Sequence, residues 1–250
     1  MEITPLLLVA TFFVALLSSI LSGIASGGGG FIMGPWELMI GFSPAQMIAT
    51  GSVGGSSIGL GSLMAMRRNQ VRVNHKLVYI LGVSAAITSF IASYIVPHIS
   101  PDLFKGLTAL LTICSLPLFF SRHHRLMAGE RNRASRVMGY CIVSLLLFGC
   151  AVVFSSLFGL LLAIALPFFF GTSTMESTAI RRVLLLTQSV ILVTMMFGHI
   201  LWPFTIATTL GGYIGSYIGT HIAIRQGEVF ARRALAIGAI LSTVSLLFTI

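Results

Sequence analysis

Four consecutive glycines, Gly27-Gly28-Gly29-Gly30, follow Ser26 and separate two strongly apolar runs, residues 5–25 and 31–40. Crossing a bilayer takes about 20 apolar residues; the first run is long enough and the second is about half that length. A glycine lowers helix stability by about 1 kcal/mol relative to alanine, so a lipid-facing helix has no reason to hold four. Irregular backbone at membrane depth survives only where it is packed in protein or lines a cavity. Many transporters build their substrate site from helices broken this way. The chain is therefore expected to fold as helices gathered around a broken hairpin.

The rest of the sequence identifies the bilayer as its solvent. Hydrophobic residues make up 56% of the 250 and charged residues only 8%, and a water-soluble domain could not cover that much apolar surface. The expected fold is an all-α polytopic membrane protein. Further apolar segments run over 44–65, 77–96, 103–120, 138–158, 159–170, 178–197, 203–222 and 229–249. Met1–Thr4 carries Glu2 and no Lys or Arg, so it does not read as the basic start of a secretory signal. Cys114, Cys141 and Cys150 lie inside apolar runs at a spacing that matches no metal site. The net charge of +9 would suggest nucleic acid in a soluble protein; here its placement points to topology, with the lipid bilayer and no nucleic acid as partner.

Of the 15 Lys and Arg, all but Lys105 fall into four groups: Arg67, Arg68, Arg72 and Lys76; Arg122 to Arg136 in the central linker; Arg181 and Arg182; and Arg225, Arg232 and Arg233. If all four groups face the cytoplasm, the positive-inside rule holds. Residues 138–170 must then leave and return, although they are too few for two full spans. One full helix and a short returning half-helix fit, as they do for 5–40. Both termini are then expected outside. The two halves, 1–120 and 138–250 with a basic linker at 121–137, read as an inverted repeat. Each is a broken-helix hairpin followed by three transmembrane helices, an arrangement common among secondary transporters. Gly34-Pro35 and Leu166-Pro167 fall at matching places, and Gly41 and Gly171 end the short arms.

The run Gly23-x-x-Ser26-Gly27-Gly28-Gly29-Gly30-Phe31, with Pro35, Gly41 and Ala49-Thr50-Gly51-Ser52 after it, resembles the first-repeat signature of the TauE/SafE (TSUP) family of sulfite exporter-like proteins. The basic turn Arg67 to Asn74 is similar too. The resemblance spans nearly the whole chain and is most specific in 20–75. The second half departs from the pattern: Ser155 to Ala163 holds one glycine, Gly159, where the family carries a second glycine-rich break, and Ser177-Thr178-Ala179-Ile180 is a degenerate counterpart of Ala-Thr-Gly. The resemblance implies movement of a small anion, such as sulfite, a sulfonate or a related organosulfur compound, across the bacterial inner membrane. It implies no cofactor, and the sequence holds no nucleotide-binding motif.

The candidate site starts from Gly27, Gly28, Gly29 and Gly30, whose N–H groups at the positive end of the following half-helix would bind an oxyanion; a tight turn or close helix crossing is the plainer reading. Thr50 and Ser52 would add hydroxyls without charge, though such residues also pack membrane helices. Ser173 and Gln188 are their counterparts in the second half, and Gln188 as a buried amide requires partners. Arg181 and Arg182 would attract an anion, but the topological reading is favoured. Glu37 is a candidate for proton coupling; its neighbour Trp36 suggests instead the aqueous interface. A second copy of the chain is a candidate partner.

Two other classes compete. An anion channel could be lined by the same broken helices. A rhomboid-type intramembrane serine protease would need Ser26-Gly27 and a distant His199 or His221, and it leaves the repeat unexplained. A transporter, not an enzyme, is the expectation.

Overall fold

The computed structural model describes residues 3–25, 29–71, 73–104, 106–107, 110, 133–153, 156–227 and 230, and its regular structure is all helical, with no strand among these residues. In chain order the α-helices are α1 (Pro5–Ala25), α2 (Gly30–Met39), α3 (Pro44–Arg68), α4 (His75–Ile95), α5 (Arg133–Val152), α6 (Ser156–Phe170), α7 (Thr174–Met195) and α8 (Trp202–Gln226). The expected segments 103–120 and 229–249 lie almost wholly outside the described residues, as does the linker up to 132. Helix α5 starts at Arg133, five residues inside the expected linker, so Arg136 belongs to a helix.

Local sequence explains where the short arms stop. Gly41 and Gly171 have φ of +84° and +70°, a region that costs other residues about 1–2 kcal/mol. Two residues after each glycine a serine caps the next helix: Ser43 accepts from the Gln46 N–H, with Gln46 reaching back to the Ser43 N–H in a capping box, and Ser173 accepts from the Glu176 N–H. Such caps contribute about 1 kcal/mol each.

Among the described residues, four helices are long and apolar enough to cross a membrane: Pro5–Ile24, His75–His98, Ser135–Val152 and Met175–Met195. Helices α3 and α8, expected as spans, do not meet that measure although each has 25 residues. Their Gly, Ser and Thr residues face other helices, as Gly54, Gly61, Gly211, Gly215 and Ser216 do, while α8 turns Ile206, Leu210, Ile214 and Ile218 outward. Helix α1 shows the same inside-out logic. Thr11, Ala15, Ser18, Ser19 and Ser22 are buried on one helical face while Leu6, Val9, Phe13 and Leu17 are exposed, which is the reverse of a water-soluble amphipathic helix.

Helix α1 runs parallel to α8, with Phe12, Leu16 and Ile20 against Gly211, Gly215 and Gly219, and α3 also runs parallel to α8. Helix α4 packs on α5 and on α7, and α8 packs on α1 and on α3. Helices α3 and α7 cross antiparallel at the centre, Gly55 beside Ser189 and Gly59 beside Arg182 and Leu186. The hairpins α1–α2 and α5–α6 are both antiparallel: Trp36 Nε1 donates to Thr11 Oγ1 at 3.1 Å, and Gly139 and Gly149 face Phe169 and Phe158. Two apolar clusters fill the ends of the bundle. One joins Met47, Ile48, Val96, Leu192 and Phe204; the other joins Leu81, Leu147, Leu166, Ile180 and Leu184.

Candidate functional site

Between the two apolar clusters lies a cavity of about 140 Å³, close to the roughly 150 Å³ that accommodates benzene in an engineered protein cavity. Helices α1, α2, α3 and α8 line one wall, and α5, α6 and α7 line the other. Apolar side chains such as Met33, Ile58, Leu162 and Leu185 form most of its surface, with charge confined to Glu37, Arg181 and Arg182.

Gly29 and Gly30 line this cavity, whereas Gly27 and Gly28 lie outside the described residues. The turn serves close packing as well as any ligand. The Ser18 hydroxyl donates to the Gly29 carbonyl at 2.6 Å, and a Cβ at Gly29 would sit 2.8 Å from the Ser18 carbonyl oxygen. Only glycine lets the start of α2 approach α1 so closely, and this approach presents the helix N-terminus to the cavity.

Arg181 and Arg182 are not loop residues. They are the eighth and ninth residues of α7, where its third turn begins, and both line the cavity. Arg182 is 5% exposed; its guanidinium donates to the carbonyl and the hydroxyl of Ser22 on α1, and its Nε has no hydrogen-bond partner. Arg182 was expected as part of a cytoplasmic basic group; its side chain is buried and reaches across the bundle to α1. Arg67, Arg68, Lys76 and Arg225 do gather at one end of the bundle. There Arg68 donates to the Tyr217 hydroxyl, and the Asn74 N–H at the head of α4 donates to Glu176 at the head of α7.

Glu37 is 1% exposed and faces the same cavity, and neither of its oxygens has a hydrogen-bond partner. Glu37 therefore does not reach water: Trp36 is half-buried and donates to Thr11, and the next residue on α2 turns inward. Gln188 lines the cavity and donates from Nε2 to the Leu147 carbonyl at 2.8 Å. Ser52 lines it too, its hydroxyl donating to the Ile48 carbonyl.

Two candidates lie elsewhere. Thr50 is buried away from the cavity wall, and its Oγ1 accepts from the Leu201 N–H at 3.1 Å, so it secures the turn before α8. Ser173 is exposed and caps α7. Conversely, Ser18, Ser19 and Ser22 of α1, Cys150 of α5 and Thr208 of α8 line the cavity although sequence patterning did not bring them forward. The signal for the first three was present: hydroxyls three and four residues apart share a helical face, and this face is the only polar one on an apolar helix.

Chemically, the site can hold one small ligand in a largely apolar container with two guanidinium groups, a helix N-terminus and one carboxyl group. Among the described residues no cluster of His, Cys, Asp or Glu could hold a metal ion.

The family model "Sulfite exporter TauE/SafE" matches residues 11–246. The chain is 26% identical over 254 aligned positions to proteins titled "Probable membrane transporter protein YfcA" from Escherichia coli K12, O6:H1 and O157:H7, covering 98% of this chain and 91% of each relative. No solved structure matches significantly.

Proposed function

This chain belongs to the sulfite exporter TauE/SafE family and is a membrane transporter, and on that premise we propose that it is a secondary carrier of a small oxyanion, a sulfonate or sulfite, across the bacterial inner membrane. The observation that carries the reading is Arg182: a guanidinium inside a membrane bundle, lining a cavity of ligand size, with Nε unpartnered. Ionisable groups within membrane spans are costly and mark substrate pathways, and the planar guanidinium fork matches a sulfo group as it matches a carboxylate or phosphate. The apolar remainder of the wall suits a sulfonate with a short organic group.

In this reading the halves 1–120 and 138–250 are an inverted repeat, with the hairpin α1–α2 entering from one face and α5–α6 from the other. The basic end, with Arg67, Arg68, Lys76 and Arg225, is cytoplasmic, and the start of α1 is periplasmic. The anion binds between the hairpins, held by Arg182 and Arg181 and by the start of α2 at Gly29 and Gly30. The cavity opens alternately to either face.

The test is flux of radiolabelled methanesulfonate and sulfite into proteoliposomes. Saturable uptake by the wild type is expected, with Arg182→Gln losing roughly 10- to 150-fold in transport efficiency, the equivalent of one hydrogen bond to a charged group of about 1.5–3 kcal/mol. Arg182→Lys keeps the charge but not the fork and should fall between them. No flux of either compound by folded wild type refutes the substrate reading. Conductance without saturation refutes the carrier in favour of a channel.

A further inference from the structure

The cavity has two chemically different ends. At one end the Arg182 guanidinium donates to the carbonyl and hydroxyl of Ser22 on α1. At the other stands Glu37, whose neighbour Trp36 donates to Thr11. Ser22 and Thr11 are eleven residues apart on α1, about 16 Å of helix, so a small anion held by Arg182 does not reach Glu37. The anion site therefore leaves this carboxyl group unused. It is 1% exposed, and neither of its oxygens has a hydrogen-bond partner.

Contacts between helices place other polar groups at the level of Glu37. Gly211 on α8 meets Phe12, Ala15 and Leu16 of α1, so Thr208, three residues earlier on α8, stands at the level of Thr11. A Cβ at Gly54 of α3 would lie 3.3 Å from Thr208 Oγ1, and one at Gly55 would lie 3.6 Å from Ser189 Oγ on α7. Ser52 is within one turn of both glycines. Glu37, Ser52, Ser189 and Thr208 all line the cavity. Ser189 is seven residues beyond Arg182 on α7, about 10 Å of helix.

This end of the cavity presents acceptors. The Ser52 hydroxyl donates to the Ile48 carbonyl at 2.6 Å and the Thr208 hydroxyl to the Thr205 carbonyl at 3.1 Å, so each has only acceptor capacity left. Ser189 Oγ is buried and has no partner. No cationic side chain of α1, α2, α3 or α8 lines the cavity. A buried carboxylate without a partner is costly, and a carboxylate among neutral oxygens is a donor set for a hard cation. One carboxylate cancels one positive charge and would leave a divalent ion uncompensated in an apolar bundle. Such a site requires no His, Cys or second carboxylate.

We propose that this end of the cavity is a sodium site and that the ion crosses the membrane with the anion. The Glu37 carboxylate is the counter-ion, and the hydroxyl oxygens of Ser52, Ser189 and Thr208 surround the sodium directly or through water. The coupling rests on the carrier reading, whereas the site does not. Sodium near Glu37 and a monoanion at Arg182 add no net charge to the bundle, and each attracts the other across its low-dielectric interior.

The site is tested by equilibrium binding of radiolabelled sodium to the full chain in detergent. Saturable binding of one ion per chain is expected, and Glu37→Gln should abolish it. Ser189→Ala should weaken it about tenfold, the order of one contact to a charged group. Because Ser189 Oγ has no hydrogen bond to lose, that variant removes a ligand without breaking a tie in the bundle. Circular dichroism checks that both variants are folded. No saturable binding by folded wild type, or an affinity unchanged in both variants, overturns the proposal. The coupling is tested in proteoliposomes, with valinomycin and equal potassium clamping the membrane potential. Under a roughly tenfold inward sodium gradient an electroneutral one-to-one symporter should accumulate labelled methanesulfonate about tenfold, and Glu37→Gln should stop at equal concentrations. Uptake indifferent to the sodium gradient overturns the coupling. Sodium binding without saturable flux of methanesulfonate or sulfite refutes the carrier reading and leaves the sodium site standing.

Discussion

Gly211→Ala tests whether α1 and α8 touch backbone to backbone. A Cβ built at Gly211 would lie 2.7 Å from the Phe12 carbonyl oxygen, 3.0 Å from the Leu16 nitrogen and 3.2 Å from the Ala15 Cβ. Ordinary contact begins near 3.4 Å, so the helices would have to part by about 0.7 Å, and two of the three obstacles are backbone atoms that cannot rotate away. Gaps of 0.5–1 Å forfeit about a quarter to a half of each dispersion contact along the seam, and overpacking of this kind costs about 1–3 kcal/mol. The intrinsic preference of helices for alanine over glycine offsets at most about 1 kcal/mol. The net expectation is a loss of about 1–2 kcal/mol. Gly82→Ala on α4 is the control, because nothing lies within 4 Å of a Cβ there; the same chemical change should stabilise by up to about 1 kcal/mol. Equilibrium unfolding in mixed SDS–maltoside micelles, followed by circular dichroism, reads both. The opposite signs are the prediction. A Gly211→Ala protein as stable as Gly82→Ala would mean that α1 and α8 do not meet as described.

Two further substitutions separate the cavity from its surroundings. Thr50→Val removes the acceptor of the buried Leu201 N–H and should cost about 1–3 kcal/mol of stability with the KM for methanesulfonate unchanged; a raised KM at wild-type stability would put Thr50 on the pathway. Cys150 lines the cavity, so with Cys114→Ser and Cys141→Ser in place a methanethiosulfonate reagent should block flux, and saturating methanesulfonate should slow the block severalfold. Modification at a rate indifferent to substrate would remove that wall from the pathway.

The hairpin, its short arm and the ends of both short arms were legible because each depends on local chemistry; the start of α7 at Thr174 was not, since Ser173 was read as a ligand where it caps the helix. The glycine run breaks a helix, Gly41 and Gly171 need a positive φ, and Ser43 and Ser173 cap the helices after them. Gln188 was legible for a related reason, since an amide deep in an apolar span must find an inward partner. Arg182 was not, because a cation near a span end gives the same sequence signal whether it meets water or a carbonyl on another helix; only the position of Ser22, 160 residues away in sequence, distinguishes the two. Glu37 misled through its neighbour. Tryptophan is common at membrane interfaces, but Trp36 is turned toward Thr11. Thr50 and Ser52 look alike in sequence, and two residues along a helix amounts to about 200° of rotation. That rotation sends Ser52 to the cavity and Thr50 to the turn before α8.

The packing also constrains how such a cavity could open. Rocking one sequence half against the other would pull α1 from α8, where a Cβ at Gly23 would meet Ser216 and Thr220 backbone atoms at 2.7 Å. A seam that close resists sliding, because small displacements in either direction produce clashes or voids. The α3–α7 crossing is different. A Cβ at Gly55 would meet the side chains of Leu185 and Ser189 at an ordinary 3.6 Å, and at Gly59 the close atom is the Leu186 Cγ at 2.9 Å, a side chain able to change rotamer, with the Arg182 carbonyl oxygen at 3.4 Å. The natural units of motion are therefore α1, α2, α3 and α8 on one side and α4, α5, α6 and α7 on the other, each containing helices of both halves, with the cavity in the seam between them. Arg182 spans that seam to Ser22. An anion that takes the guanidinium away from the Ser22 carbonyl removes a tie between the two units at the moment it binds, so occupancy of the cavity and freedom of the seam to open are set by the same side chain.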